Sequence, residues 1–87
     1  MHISIDPAFK KKFLKLNKRY STLGQLLDKK LALYLSDPTH KSLRLHKLGS
    51  RYDRWSITIK KDLRVIFVYI DDGIYLTDIG SHDEVYR

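Results

Sequence analysis

Apolar positions along the chain follow two different periods, with the change falling near Pro38. At the start, Ile3 and Ile5 alternate with His2 and Ser4, so residues 2–5 read as a short strand. Asp6-Pro7 then opens a helix. The Asp6 carboxylate is suited to accept from the free amides of a first turn, and Pro7 takes a position where a missing N–H costs nothing. Phe9, Phe13, Leu16 and Tyr20 recur at helical spacing and leave Lys10, Lys11, Lys12, Lys15 and Lys18 mainly for the other faces, which predicts an amphipathic helix over residues 7–20. Ser21-Thr22 supplies the cap of a second helix, with Leu23, Leu26, Leu27, Leu31, Tyr34 and Leu35 as its apolar stripe and Asp37-Pro38 as its end. An antiparallel hairpin of the two helices is expected.

Beyond Pro38 the period is two. Leu43, Leu45 and then Lys47 line one side of a first segment, with Arg44 and His46 on the other, and Gly49-Ser50 breaks it. Trp55, Ile57 and Ile59 alternate with Ser56, Thr58 and Lys60, as in a strand with one buried and one wet face. Leu63 to Ile70 is apolar almost throughout, apart from Arg64, which suits a central strand covered on both sides. Asp71-Asp72-Gly73 is a hairpin turn and Ile74 to Ile79 its return strand. Strand, two helices and four strands make an α+β domain, with helices on one face of a mainly antiparallel sheet. No repeat or linker divides it, so residues 1–87 form one domain.

The chain of 87 residues carries no cysteine, which removes disulfides, thiolate catalysis and cysteine-based zinc sites. No apolar run is long enough for a membrane span, and the N-terminus lacks the basic and then apolar regions of a secretory signal, so a cytoplasmic protein is expected. The formal charge of +7 favours a polyanionic partner. Its distribution is uneven. Residues 10–19 hold six bases and no acid, residues 41–64 hold eight bases against Asp53 and Asp62, and beyond Arg64 acids predominate. A solvated helix face is the plain alternative for the first cluster.

His2, His40, His46 and His82 are scattered, and the four glycines are isolated, so neither a metal site nor a phosphate-cradling loop is expected and no cofactor is called for. Metal-free acid/base chemistry on a polyanion remains. Arg64 is the unusual residue, because an unpaired guanidinium among isoleucines costs several kcal/mol. A turn formed by Lys61, Asp62 and Leu63 would avoid that, setting Lys60 opposite Arg64 and keeping Ile57, Ile59, Val65 and Phe67 on the other side. Arg64 then either pairs with an acid such as Asp78 or receives a phosphate.

The ordered set His46-Lys47-Leu48-Gly49, Arg54-Trp55-Ser56-Ile57, Leu63-Arg64-Val65-Ile66-Phe67 and Ile79-Gly80-Ser81-His82-Asp83-Glu84-Val85-Tyr86 resembles the RelE/ParE superfamily of small bacterial toxins, most closely its YafQ/YoeB branch. The resemblance implies a RelE-like fold and an endoribonuclease that cuts messenger RNA in the ribosomal A site. It also implies a co-expressed antitoxin that neutralises the toxin in a hetero-oligomer. By resemblance, Arg64 holds the scissile phosphate, a task its bidentate fork suits. His82 transfers protons, for which an imidazole is fitted at neutral pH, and Tyr86 stacks on or orients a nucleotide. His46 transfers a proton or contacts RNA, or is simply a polar residue on an exposed strand. Lys60 and Lys61 lie near lysines that some relatives use on the backbone, and Arg44, Lys47 and Arg54 add to the basic segment. Trp55 stacks a base or packs in the core with Ile57 and Ile59.

Two departures matter. Asp78 stands where several relatives have a second arginine, so it acts as a base, orients His82 or pairs with Arg64. No glutamate precedes His46. Two other functions fit the same fold: a ParE-like toxin that inhibits DNA gyrase by binding, and an RNA-binding relative with weak catalysis.

Overall fold

The computed structural model describes residues 2–49 and 53–85. The elements are β1 (His2–Ile5), α1 (Pro7–Arg19), α2 (Leu23–Ser36), a 3-10 turn at Lys41–Leu43, β2 (His46–Leu48), β3 (Arg54–Lys60), β4 (Leu63–Ile70), β5 (Gly73–Gly80) and α3 (His82–Val85). The five strands form one open sheet in the order β1-β5-β4-β3-β2, with β1 parallel to β5 and every other pair antiparallel. This is the α+β arrangement expected from the change of period.

Local chemistry sets the helix starts. Asp6 accepts from the Ala8 amide at 2.9 Å and Pro7 follows it. Thr22 occupies the cap of α2 without using its hydroxyl there. Phe9, Leu23, Leu27 and Tyr34 from the two helices enclose Ile57, Ile59, Val65, Phe67, Ile74, Leu76 and Ile79 from the sheet, and Leu43 of the 3-10 turn closes this core. Trp55 packs against it, as the core reading required. Ile5 and Leu35 do not join. They are 51% and 47% exposed, at the end of an edge strand and in the last turn of α2.

Three features differ from the pattern read along the sequence. The first concerns the β3–β4 turn. It consists of Lys61 and Asp62 alone, Lys60 opposes Leu63, and Arg64 opposes Thr58. Ile59 is the extra residue of a β-bulge, and this restores the faces that a plain two-residue turn would have inverted. Arg64 stays off the core side, by a route other than the three-residue turn. The second is the start of β2. Residues 41–43 form a 3-10 turn, and Arg44 adopts a left-handed conformation (φ 48°), so pairing begins only at His46. The third is α3, which extends the fold beyond the last strand and lies on the opposite side of the sheet from α1 and α2.

That placement follows from Gly80. It pairs with Arg64, and a Cβ on it would meet Glu84 Cβ at 3.2 Å and Val85 Cγ1 at 3.3 Å. A second bulge, at Thr77 in β5, changes the alternation there. Ile74 and Leu76 face the core before it and Ile79 after it, so Asp78 falls on the side of Ile66.

Candidate active site

Residues directly opposite one another in a sheet project to the same side, so the ladder assigns the side away from α1 and α2 residue by residue. One row across four strands reads His46, Ser56, Ile66, Asp78. The next reads Thr58, Arg64, Gly80, and a third includes Leu48, Arg54, Val68 and Tyr75. Four of the site residues expected from the sequence therefore share this side: His46, Arg54, Arg64 and Asp78.

α3 brings the fifth. His82 begins this helix two residues after Gly80, the partner of Arg64 in the ladder. A reciprocal capping box sets the turn: the Ser81 amide donates to Glu84 Oε1 at 3.0 Å, and the Glu84 amide donates to Ser81 Oγ at 3.3 Å. Ser-x-x-Glu was legible at residues 81–84 and is the signal that could have revealed α3. The His82 ring is 62% exposed, with Nδ1 3.7 Å from Asp83 Oδ1. Tyr86 lies outside the described residues.

His46 is held by its own strand entry. Its Nδ1 lies 3.1 Å from the Arg44 carbonyl oxygen, which can only accept, so Nδ1 is the donor of that bond. One strand separates His46 from β4, about 10 Å across the sheet at ordinary strand spacing. Between them, Thr58 Oγ1 and Arg54 Nε are buried without a hydrogen-bond partner among the described residues. Both are on the side of Arg64.

The outer strands are short, and this shapes the electrostatics. β2 pairs only with residues 54–56 of β3, and β1 only with residues 73–76 of β5. The outer edges of β3 and β5 nearest Arg64 and Gly80 therefore have no strand beside them among the described residues, and cations occupy both margins. Beside β3 lies an open groove of about 630 Å³ lined by Lys30, Lys41, Arg44, Lys60 and Lys61, with Ser42 and Thr58 among its other walls and no acid among the described residues. Beside β5, between α1 and α3, lies a pocket of about 250 Å³ lined by Lys12, Lys15 and Arg19, with Leu16, Ile79 and Glu84.

Lys60 does not oppose Arg64 as expected. Its ammonium sits 3.9 Å from the centre of the Tyr20 ring, a cation–π contact that steadies it at the rim of the groove. Lys47 is on the core side of β2 and pairs with Asp53 at 3.0 Å. Asp78 accepts from Lys12 Nζ at 2.6 Å and from the Ile79 amide at 2.9 Å. Lys12, Lys30 and Lys41 escaped the sequence reading as site residues. They reach the site from helices and a turn remote along the chain, and no local motif marks them.

Among the described residues no cluster of metal-ligating side chains is found, and no helix is long and apolar enough to cross a membrane. A family model described as the bacterial toxin of type II toxin–antitoxin systems, YafQ, matches residues 1–87. Among solved structures, YafQ from Escherichia coli strain BL21(DE3) superposes with a TM-score of 0.76 at 17% identity, covering 99% of this chain and 98% of that one. A copper-bound mutant toxin from Helicobacter pylori gives 0.76 at 25% identity, covering 98% of each chain. The YoeB–YefM complex from Staphylococcus aureus gives 0.74 at 14% identity, covering 94% of this chain and 97% of its counterpart. No curated protein matches the sequence significantly.

Proposed function

The chain belongs to the YafQ family of type II toxin–antitoxin toxins, and on that premise we propose that it is an endoribonuclease that cuts messenger RNA in the ribosomal A site. The observation that carries the proposal is the ladder pair Arg64–Gly80, with His82 opening α3 just beyond it and cations along both margins. An extended polyanion fits across such a strip.

The chemistry needs no metal. A base takes the proton of a ribose 2′-hydroxyl, the 2′ oxygen bonds to the adjacent phosphorus, and the bond from phosphorus to the 5′ oxygen breaks. The products are a 2′,3′-cyclic phosphate and a 5′-hydroxyl, the latter completed by a proton from an acid. Arg64 stabilises the crowded phosphate with parallel N–H donors. His82 gives the proton to the leaving oxygen. His46, on the same side of the sheet, is the second imidazole for the base step, and Tyr86 orients a nucleotide. Arg54 and the cations of the β3 groove hold flanking phosphates.

An antitoxin is the expected partner, as in the Escherichia coli DinJ–YafQ complex and YoeB–YefM. An acidic or amphipathic segment suits the basic strip and blocks phosphate entry. The cytoplasm is where such a pair meets translating ribosomes.

Expression of the wild type should arrest growth and give A-site cuts by primer extension, and His82→Ala and Arg64→Ala should each abolish both. If messages stay whole in all three strains the nuclease reading fails, and gyrase inhibition with intact messages would move the protein to a ParE-like role.

A further inference from the structure

We propose that Lys12 is a positioning residue of the active site, which acts by neutralising and turning aside the carboxylate of Asp78. The inference rests on the nuclease reading for its activity assay and on the geometry alone for its binding assay.

Asp78 would be an awkward neighbour for a bound phosphate. The Thr77 bulge puts it in the row of His46, Ser56 and Ile66, and it is the diagonal neighbour of Arg64 across the β4–β5 ladder, about 7–8 Å away at usual sheet spacing. A free carboxylate there opposes every anion that Arg64 attracts. Two contacts hold it instead. The Ile79 amide donates to Oδ1 from the same strand, and Lys12 Nζ donates to the same oxygen at 2.6 Å from α1, 66 residues away.

The edge of β5 makes this possible. β1 stops pairing at Leu76, so α1 rather than a strand lies beside residues 77–80, and α1 packs against β5. Lys12, Lys15 and Arg19 recur at intervals of three and four and so share one helix face, along the pocket between α1 and α3. Of the three, Lys12 reaches Asp78. Lys15 and Arg19 line the same pocket and keep that margin positive.

The pair is too exposed to be chiefly a stabilising device. Its side chains are 48% and 32% accessible, and ion pairs of that kind contribute little to folding. Its effect is on the field. With Lys12 in place the Asp78 position is close to neutral. Without it, a unit negative charge stands beside the phosphate site.

The test uses the full chain and two readouts. One is cleavage on translating ribosomes. The other is affinity for a short 2′-O-methyl RNA, whose blocked nucleophile prevents reaction. Lys12→Ala should weaken binding by about tenfold at low salt, the effect of one screened charge at this distance, and lower cleavage comparably. Lys12→Arg should preserve both. Lys12→Ala combined with Asp78→Asn should return both to near the wild-type level, because no charge is left to offset. The exposed Lys18→Ala, on the same helix, should behave as wild type.

Thermal midpoints separate this role from a structural one. Little change of midpoint is expected in either variant, so binding and cleavage that fall in Lys12→Ala and recover in the double variant at a constant midpoint support the field effect. Activity that follows the midpoint overturns it. So does a Lys12→Ala protein that binds as wild type, or a double variant as impaired as the single one. A wild type that binds RNA without cutting it, with the binding series as described, defeats the nuclease reading and leaves the role of Lys12 standing.

Discussion

Arg64 stands directly across the ladder from Gly80, and the absent side chain at Gly80 lets α3 lie on the strand beside it. A Cβ there would press on Glu84 Cβ at 3.2 Å and Val85 Cγ1 at 3.3 Å. Gly80→Ala should therefore push α3, and His82 with it, by a few tenths of an ångström. The expected result is a loss of about 1 kcal/mol in stability with about a tenfold loss of cleavage. Thermal unfolding and turnover on one preparation check it. Full activity in this variant would contradict a site built on the seat of α3.

Lys60 and Lys61 border the groove beside β3, with Lys60 steadied over Tyr20. Replacing both with alanine should weaken binding to single-stranded RNA at every sequence alike. It should also reduce the salt dependence, with a loss of about 0.7 in the log–log slope for each phosphate contact removed. Titrations at several salt concentrations measure this, and an unchanged slope would take the groove out of the RNA path.

The hydroxyls of Tyr34 and Tyr69 meet at 2.6 Å, joining α2 to β4. Tyr34 is buried, whereas Tyr69 is 47% exposed. Tyr34→Phe should cost about 1 kcal/mol, since Tyr69 can turn to water, with a lower urea midpoint and an unchanged slope. Burial, and then the Tyr69 hydroxyl, push the Tyr34 phenol well above its ordinary value of 10.0. A raised acid favours the fold fully below its unfolded value, and the benefit is lost as pH climbs towards the folded one. Alkaline destabilisation beyond about pH 10 should be shallower in Tyr34→Phe.

Asp6 works in the opposite direction. The Tyr75 hydroxyl, donating at 2.5 Å, and then the Ala8 amide hold its carboxyl below the usual 3.8. The resulting stability is complete above 3.8 and disappears as pH falls through the lower folded value. Tyr75→Phe should move Asp6 back towards 3.8, as followed by carboxyl-carbon NMR. The variant and the wild type should then converge in acid, and a stability gap that persists at the lowest pH would contradict the assignment.

The helices were legible because capping, proline and apolar spacing agree over residues 7–36. So were the hairpin turn read at Asp71-Asp72-Gly73, of which Gly73 already belongs to β5, and the outward face of Arg64. What escaped depends on single extra residues and on distance. Ile59 and Thr77 each shift a register, and nothing in Thr58-Ile59-Lys60 or Leu76-Thr77-Asp78 marks a bulge locally, although the spacing of Leu76 and Ile79 hinted at the second. Arg44 reverses direction in a left-handed conformation that favours other residue types, so the start of β2 was placed too early. α3 was written in Ser81 and Glu84, but four residues are too few to show a period. Of the site, Arg64 and His46 could be set on one side by alternation, whereas Asp78 joins them only through the bulge at Thr77. The contact between Lys12 and Asp78 spans 66 residues and follows only from where α1 comes to rest.

The parallel pairing of β1 with β5 ties folding to synthesis. Ile3 is made well before its ladder partner Ile74, and β5 also carries Gly80 and leads into α3. Contacts so distant along the chain form late and slowly. A growing polypeptide can acquire its helices early, but it holds no finished cleft until the last strand slots between the first and the fourth. The face that carries Arg64, Gly80 and His82 therefore comes together only after β5 has been made and has found both of its neighbours.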